Sequence, residues 1–228
     1  MSFFEEDKAA KRELAEQKVK NAGVLGKWVT VMFWLQILTL VTEVLTGDTM
    51  KGISLYVYYF GVISGYVLMV VNSIILVRLK KVEDWFGKAG VCYLVSGLGG
   101  VMVALLDMSK AEALSTLLMI LFLILQIRGN YDECTGYEIV LRDADFKLSQ
   151  KWALQWILEM VCSIGIIVSI VLCGIGLGVG VLPFTIIGGF LMLLLMIAGF
   201  VVGILRLIYL YRTAETFREY EPEDVTVE

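Results

Sequence analysis

The chain has 228 residues, 58% of them hydrophobic, and a formal net charge of −4. Soluble domains are about 45–50% apolar, and a mean hydropathy of +0.80 sets this chain further apart. The negative balance argues against a nucleic-acid partner. With no histidine and only four cysteines, His-dependent zinc sites and Ser/Cys–His nucleophile pairs are excluded. The cysteines (Cys92, Cys134, Cys162 and Cys173) lack metal-clip spacing and are expected to be free and buried.

Residues 1–27 are polar and are expected to form a cytoplasmic helix. Ser2 and Glu5 fit a capping box, and Asp7–Lys11 and Glu16–Lys20 are acid-before-base pairs at helical spacing. The acidic start and the late onset of apolar residues, near Trp28, predict no cleavable signal peptide. Position 2 is Ser2 and the chain has no C-terminal prenylation cysteine, so no lipid anchor is expected.

Six apolar runs follow, over Trp28–Thr46, Ile53–Val77, Ala89–Leu106, Ala111–Ile127, Trp152–Leu182 and Phe184–Tyr211. A helix of about 20 apolar residues matches the hydrocarbon core of a bilayer. In lipid the backbone must satisfy its own hydrogen bonds, so such runs read as helices. Short links at Gly47–Gly52, Asp107–Lys110 and Pro183 group the runs into three hairpins. The predicted fold is therefore all-α: a polytopic integral membrane protein with a six-helix transmembrane bundle over residues 28–211. Residues 212–228 form an acidic cytoplasmic tail, helical to about Tyr220 and then disordered.

Charge gives the orientation. One side of this layout collects 17 of the Lys and Arg residues, and the other only Lys51 and Lys110. By the positive-inside rule both ends are cytoplasmic, and the protein is expected to be multi-pass in a cell membrane. Trp28, Trp85, Trp152, Trp156, Tyr209 and Tyr211 fall at the inner ends of runs, where an aromatic belt is expected.

Two stretches are less regular. The fifth run is long and ends in Gly174-Ile175-Gly176-Leu177-Gly178-Val179-Gly180, a composition that disfavours helix. It is expected to start in the cytoplasm, capped by Asp143 or Asp145, and to fray after Cys173. Residues 129–151 read as the one sizeable cytoplasmic loop, of a length often functional or folded onto the protein.

Ionisable groups inside a membrane are functional suspects by default. Gln36, Thr39 and Glu43 share one face of the first span, and Gln155, Glu159 and Ser163 share one face of the fifth. A carboxylate flanked by amide and hydroxyl groups suits a cation or a proton. Glu43 and Glu159 both lie near run ends, however, which also fits interfacial positions. Arg206 is expected to snorkel to the inner surface. Gly61 and Gly65, Gly174 and Gly178, and Gly199 and Gly203 have the small-xxx-small spacing of close helix packing.

In size and topology the layout resembles the substrate-binding subunits of energy-coupling-factor vitamin transporters. The first run, Trp28–Thr46, departs from them in lacking small-xxx-small spacing, and no residue role carries over. The stretch from Glu133 to Trp152 looks like part of membrane proteins from Gram-positive bacteria, which points to a bacterial inner membrane. Two functions fit. One is a transport or channel component for a small solute or ion, without catalytic chemistry or cofactor. The other is a scaffold, immunity or anchor protein acting through loop 129–151 and the tails. The expected partners are the lipid bilayer and either a homo-oligomer or a membrane complex.

Overall fold

The computed structural model describes residues 3–46, 52, 54–108 and 112–220. Ser2, residues 47–51 and 109–111 with Lys51 and Lys110, Ile53, and the tail beyond Tyr220 lie outside the described residues. The described elements are six long helices: α1 (Phe3–Leu45), α2 (Leu55–Leu79), α3 (Asp84–Met108), α4 (Glu112–Leu141), α5 (Phe146–Val179) and α6 (Leu182–Arg218). Four of them are long and apolar enough to cross a membrane, through Glu16–Leu45, Leu55–Leu79, Phe146–Val179 and Leu182–Arg218.

The outer surface agrees with a lipid solvent. Trp34, Leu38 and Val41 on α1, Ile63 and Val67 on α2, and Phe190 and Ile197 on α6 are all exposed. Such faces are costly in water but match hydrocarbon.

The polar N-terminal segment is not a separate unit. It runs unbroken into the first apolar run, so α1 is 43 residues long, roughly 65 Å at the rise of a helix. Nor are residues 129–151 a loop. Helix α4 continues to Leu141, turns over 142–145, and α5 begins at Phe146. The reason lies in a helical stripe. Gly129, Glu133, Gly136, Tyr137 and Leu141 are buried at 3.6-residue spacing, which holds the polar segment against the bundle. Asp145 caps α5, accepting from the Leu148 N–H at 3.0 Å, as its position after a turn suggests. The expected fraying after Cys173 is not seen. α5 stays helical to Val179 and stops at Gly180, whose φ of 73° is the left-handed cap.

Each helix packs on its neighbours in chain order, and α6 packs back on α1. The six elements therefore close into a ring. One end of that ring is solid. Leu25, Val29 and Met32 of α1 meet Leu76 and Leu79 of α2, Phe86 of α3, Tyr137 of α4, Trp152 of α5 and Tyr209 of α6. Trp152 is its centre: it stacks on Tyr137 at 4.2 Å and 21°, and its indole N–H donates to Thr213 Oγ1 at 3.0 Å. Phe86 meets Tyr137 edge-on at 5.0 Å. Trp152 and Tyr209 are thus core residues rather than belt residues. Both point into the ring, where ring–ring contacts outweigh an interfacial position.

Glycines divide by whether a helix approaches them. A Cβ on Gly61 would meet Leu45 Cβ at 2.9 Å, so α1 and α2 touch there, while at Gly65 the nearest atom is Thr42 Oγ1 at 3.7 Å. Gly174, Gly178, Gly199 and Gly203 have no described atom within 4 Å of a Cβ. Within the chain, no other described helix closes on these four glycines. The α5–α6 seam is made elsewhere: a Cβ on Gly188 would meet the Cys173 backbone N at 2.9 Å and Ser169 O at 3.0 Å. Gly188→Ala should therefore destabilise the protein by about 1–3 kcal/mol, the cost of overpacking. Gly178→Ala should be neutral or slightly stabilising, by up to about 1 kcal/mol. Unfolding titrations in mixed micelles would measure both. Equal effects would mean that the seam is not at Gly188.

Candidate functional site

Above the solid end lies an open cavity of about 880 Å³. Its wall comes from the second half of α1, one tyrosine of α3, and the middles of α2, α4, α5 and α6. Gln36, Thr39 and Glu43 line it from α1, and Glu159 and Ser163 from α5. The two polar faces legible in the sequence thus open on one space. Gln155 sits just behind the wall, fully buried. Its amide donates to Glu159 Oε1 at 2.8 Å and to Val202 O at 3.1 Å. Gly65, Gly199 and Gly203 line the cavity too, so the bare faces of Gly199 and Gly203 widen it rather than bring helices together.

Glu43 and Glu159 occupy different levels. Glu43 is exposed, near the end of α1. Its side chain forms no ion pair among the described residues. Glu159 lies at the floor, in a network that sequence reasoning missed. Arg206 turns inward instead of snorkelling, with its side chain only 12% exposed. One guanidinium nitrogen donates to both oxygens of Glu159, at 3.0 and 3.2 Å, and to Asn130 Oδ1 at 3.2 Å. The other donates to Glu133 Oε2 at 2.5 Å. The Tyr93 hydroxyl donates to Glu133 at 2.9 Å and also meets Asn130 Oδ1. The network ties α3, α4, α5 and α6 together directly beneath the cavity.

The physical logic is that of a buried charge. An isolated guanidinium in a low-dielectric interior is costly, and its fork of donors is suited to paired carboxylates. Charge-assisted bonds of this kind are shorter and stronger than neutral ones. Glu133 was concealed in the sequence because it sits in an apparent loop. Its partner lies 73 residues away. The signal within reach was the stripe through Gly129, Glu133 and Tyr137, which marks Glu133 as inward-facing.

Cys134 is buried beside the network, and burial above all pushes its thiol well above the ordinary range, which disfavours the reactive thiolate. No group of three Cys, Asp or Glu residues among the described residues could hold a metal ion. Cys162, by contrast, lines the cavity. A small hydrophilic thiol reagent should modify Cys162 and leave Cys134 intact, as read by peptide mass spectrometry. Equal modification of the two would mean that the packed end is open to water.

No protein-family model matches the chain, and no characterised protein or solved structure shows significant similarity to it.

Proposed function

We propose that the protein is a membrane transport or channel component for a small solute or ion, acting without catalytic chemistry. In this reading all six helices span the bilayer as three hairpins, with both ends in the cytoplasm. The distribution of Lys and Arg, 16 against 2 once the inward-turned Arg206 is set aside, supports that orientation. The packed aromatic end then faces the cytoplasm and the cavity opens towards the opposite side.

One observation carries the reading: the polar faces of α1 and α5 line a single cavity, in a protein whose outer surface is apolar. Its volume falls in the range of small-molecule sites, about 300–1,000 Å³. An ionisable group that faces the interior of a membrane bundle, as Glu159 does, is a functional suspect by default. The scaffold alternative gains less support. Its main surface, residues 129–151, is largely helix, with Glu133, Tyr137, Leu141, Leu148 and Ser149 buried.

The test is flux. Proteoliposomes containing the protein should take up at least one solute from a panel of labelled amines, amino acids, sugars and inorganic ions faster than protein-free liposomes. Filling the cavity with Ser163→Trp should abolish that uptake. Uptake that matches protein-free liposomes for every solute would overturn the proposal.

A further inference from the structure

Building on the transport reading, we propose that the solute held in this cavity is a small organic cation, an amine or quaternary ammonium ion, with Glu43 and Glu159 as its counter-charges. The first ground is charge. The cavity and the network under it hold three carboxylates, Glu43, Glu133 and Glu159, against the single guanidinium of Arg206. Arg206 is engaged by both Glu133 and Glu159, so its positive charge is spent inside the protein. What the cavity offers to a solute is net negative, and a low-dielectric wall strengthens that field.

The second ground is size and lining. A space of about 880 Å³ is far larger than a bare metal ion, and no cluster of metal-ligating side chains occurs among the described residues. Tyr66, Tyr93 and Phe200 also line it. Aromatic faces attract ammonium groups through the ring quadrupole. Gln36, Thr39, Asn72 and Ser163 add neutral polar groups, which suit the N–H bonds of an amine.

The third ground is the position of Glu159. It faces the cavity yet belongs to the Arg206 network. A cation at the cavity floor would compete with Arg206 for that carboxylate. Solute binding would thereby loosen the tie between α5 and α6 just above the aromatic end.

The experiment is calorimetric titration of the full-length protein in nanodiscs of zwitterionic lipid. The probes are choline, tetraethylammonium and benzyltrimethylammonium, with benzenesulfonate as the anionic control. At least one cation should saturate a single site per chain, with benzenesulfonate about tenfold weaker or worse. Glu43→Gln should weaken the cation about tenfold with an unchanged unfolding midpoint, since Glu43 is exposed and holds no ion pair among the described residues. Glu159→Gln should weaken it as well, but it also disturbs Arg206, so Glu43→Gln decides. Saturation by none of the three cations, equal binding of the anion, or indifference to Glu43→Gln would each overturn the proposal. The two proposals fail separately. Cation binding without flux removes transport and keeps this inference, and flux of neutral or anionic solutes without cation binding does the reverse.

Discussion

Arg206→Leu should destabilise the folded protein by about 3–5 kcal/mol, the cost of stranding buried charges. The change leaves Glu133, only 1% exposed, and Glu159 without their shared cation. Arg206→Lys should fall between, because a point ammonium cannot reach Glu133, Glu159 and Asn130 with one planar fork. Adding Glu133→Gln and Glu159→Gln to Arg206→Leu should recover much of the loss, since the penalty arises from uncompensated charge. Equilibrium unfolding in mixed micelles would measure the series. A loss below about 0.5 kcal/mol for Arg206→Leu, the size of an ordinary surface change, would show that the network is solvated rather than buried.

Trp152→Ala should cost about 3–5 kcal/mol, the range for emptying a large aromatic from a packed core. The indole is fully buried between Tyr137 and Tyr209 and bonds Thr213, which is itself fully buried. Trp152→Phe separates the two contributions. It keeps a ring against Tyr137 but strands the Thr213 hydroxyl, with an expected loss of about 1–3 kcal/mol. The same unfolding titration applies, and a loss for Trp152→Phe as large as that for Trp152→Ala would mean that the hydrogen bond, not the stacking, holds this end closed.

The helices were legible because lipid imposes a length on them. The long, mostly apolar runs at Trp28–Thr46 and Phe184–Tyr211 leave little choice of structure. The polar faces of α1 and α5 were legible too, since Gln36, Thr39 and Glu43 repeat at helical spacing. What the sequence concealed was everything that depends on two distant positions. Arg206 alone looks like a snorkelling cation, and Glu133 alone looks like a loop acid. Only their meeting, with Glu159 on the same guanidinium, shows that both are buried. Trp152 has the same ambiguity. An aromatic at a run end belongs to the interface or to the core, and only the approach of Tyr137 decides between them. Small-xxx-small spacing is open-ended for a related reason. It identifies glycines that permit close approach, as Gly199 and Gly203 do, but another helix must arrive to use them.

Thiol accessibility most directly tests whether the polar faces of α1 and α5 line a cavity that water can enter and that the aromatic end closes. In a background without native cysteines, Thr39→Cys and Ser163→Cys would be probed with a membrane-impermeant maleimide from each side of sealed proteoliposomes of known orientation. Their lipid-facing neighbours Leu38→Cys and Ile164→Cys serve as controls. Both cavity positions should react from the side opposite the aromatic end and be protected by a saturating cation, while the two controls stay unreactive. Labelling of Thr39→Cys and Ser163→Cys no faster than of Leu38→Cys and Ile164→Cys would contradict the cavity, and with it the functional reading built on it.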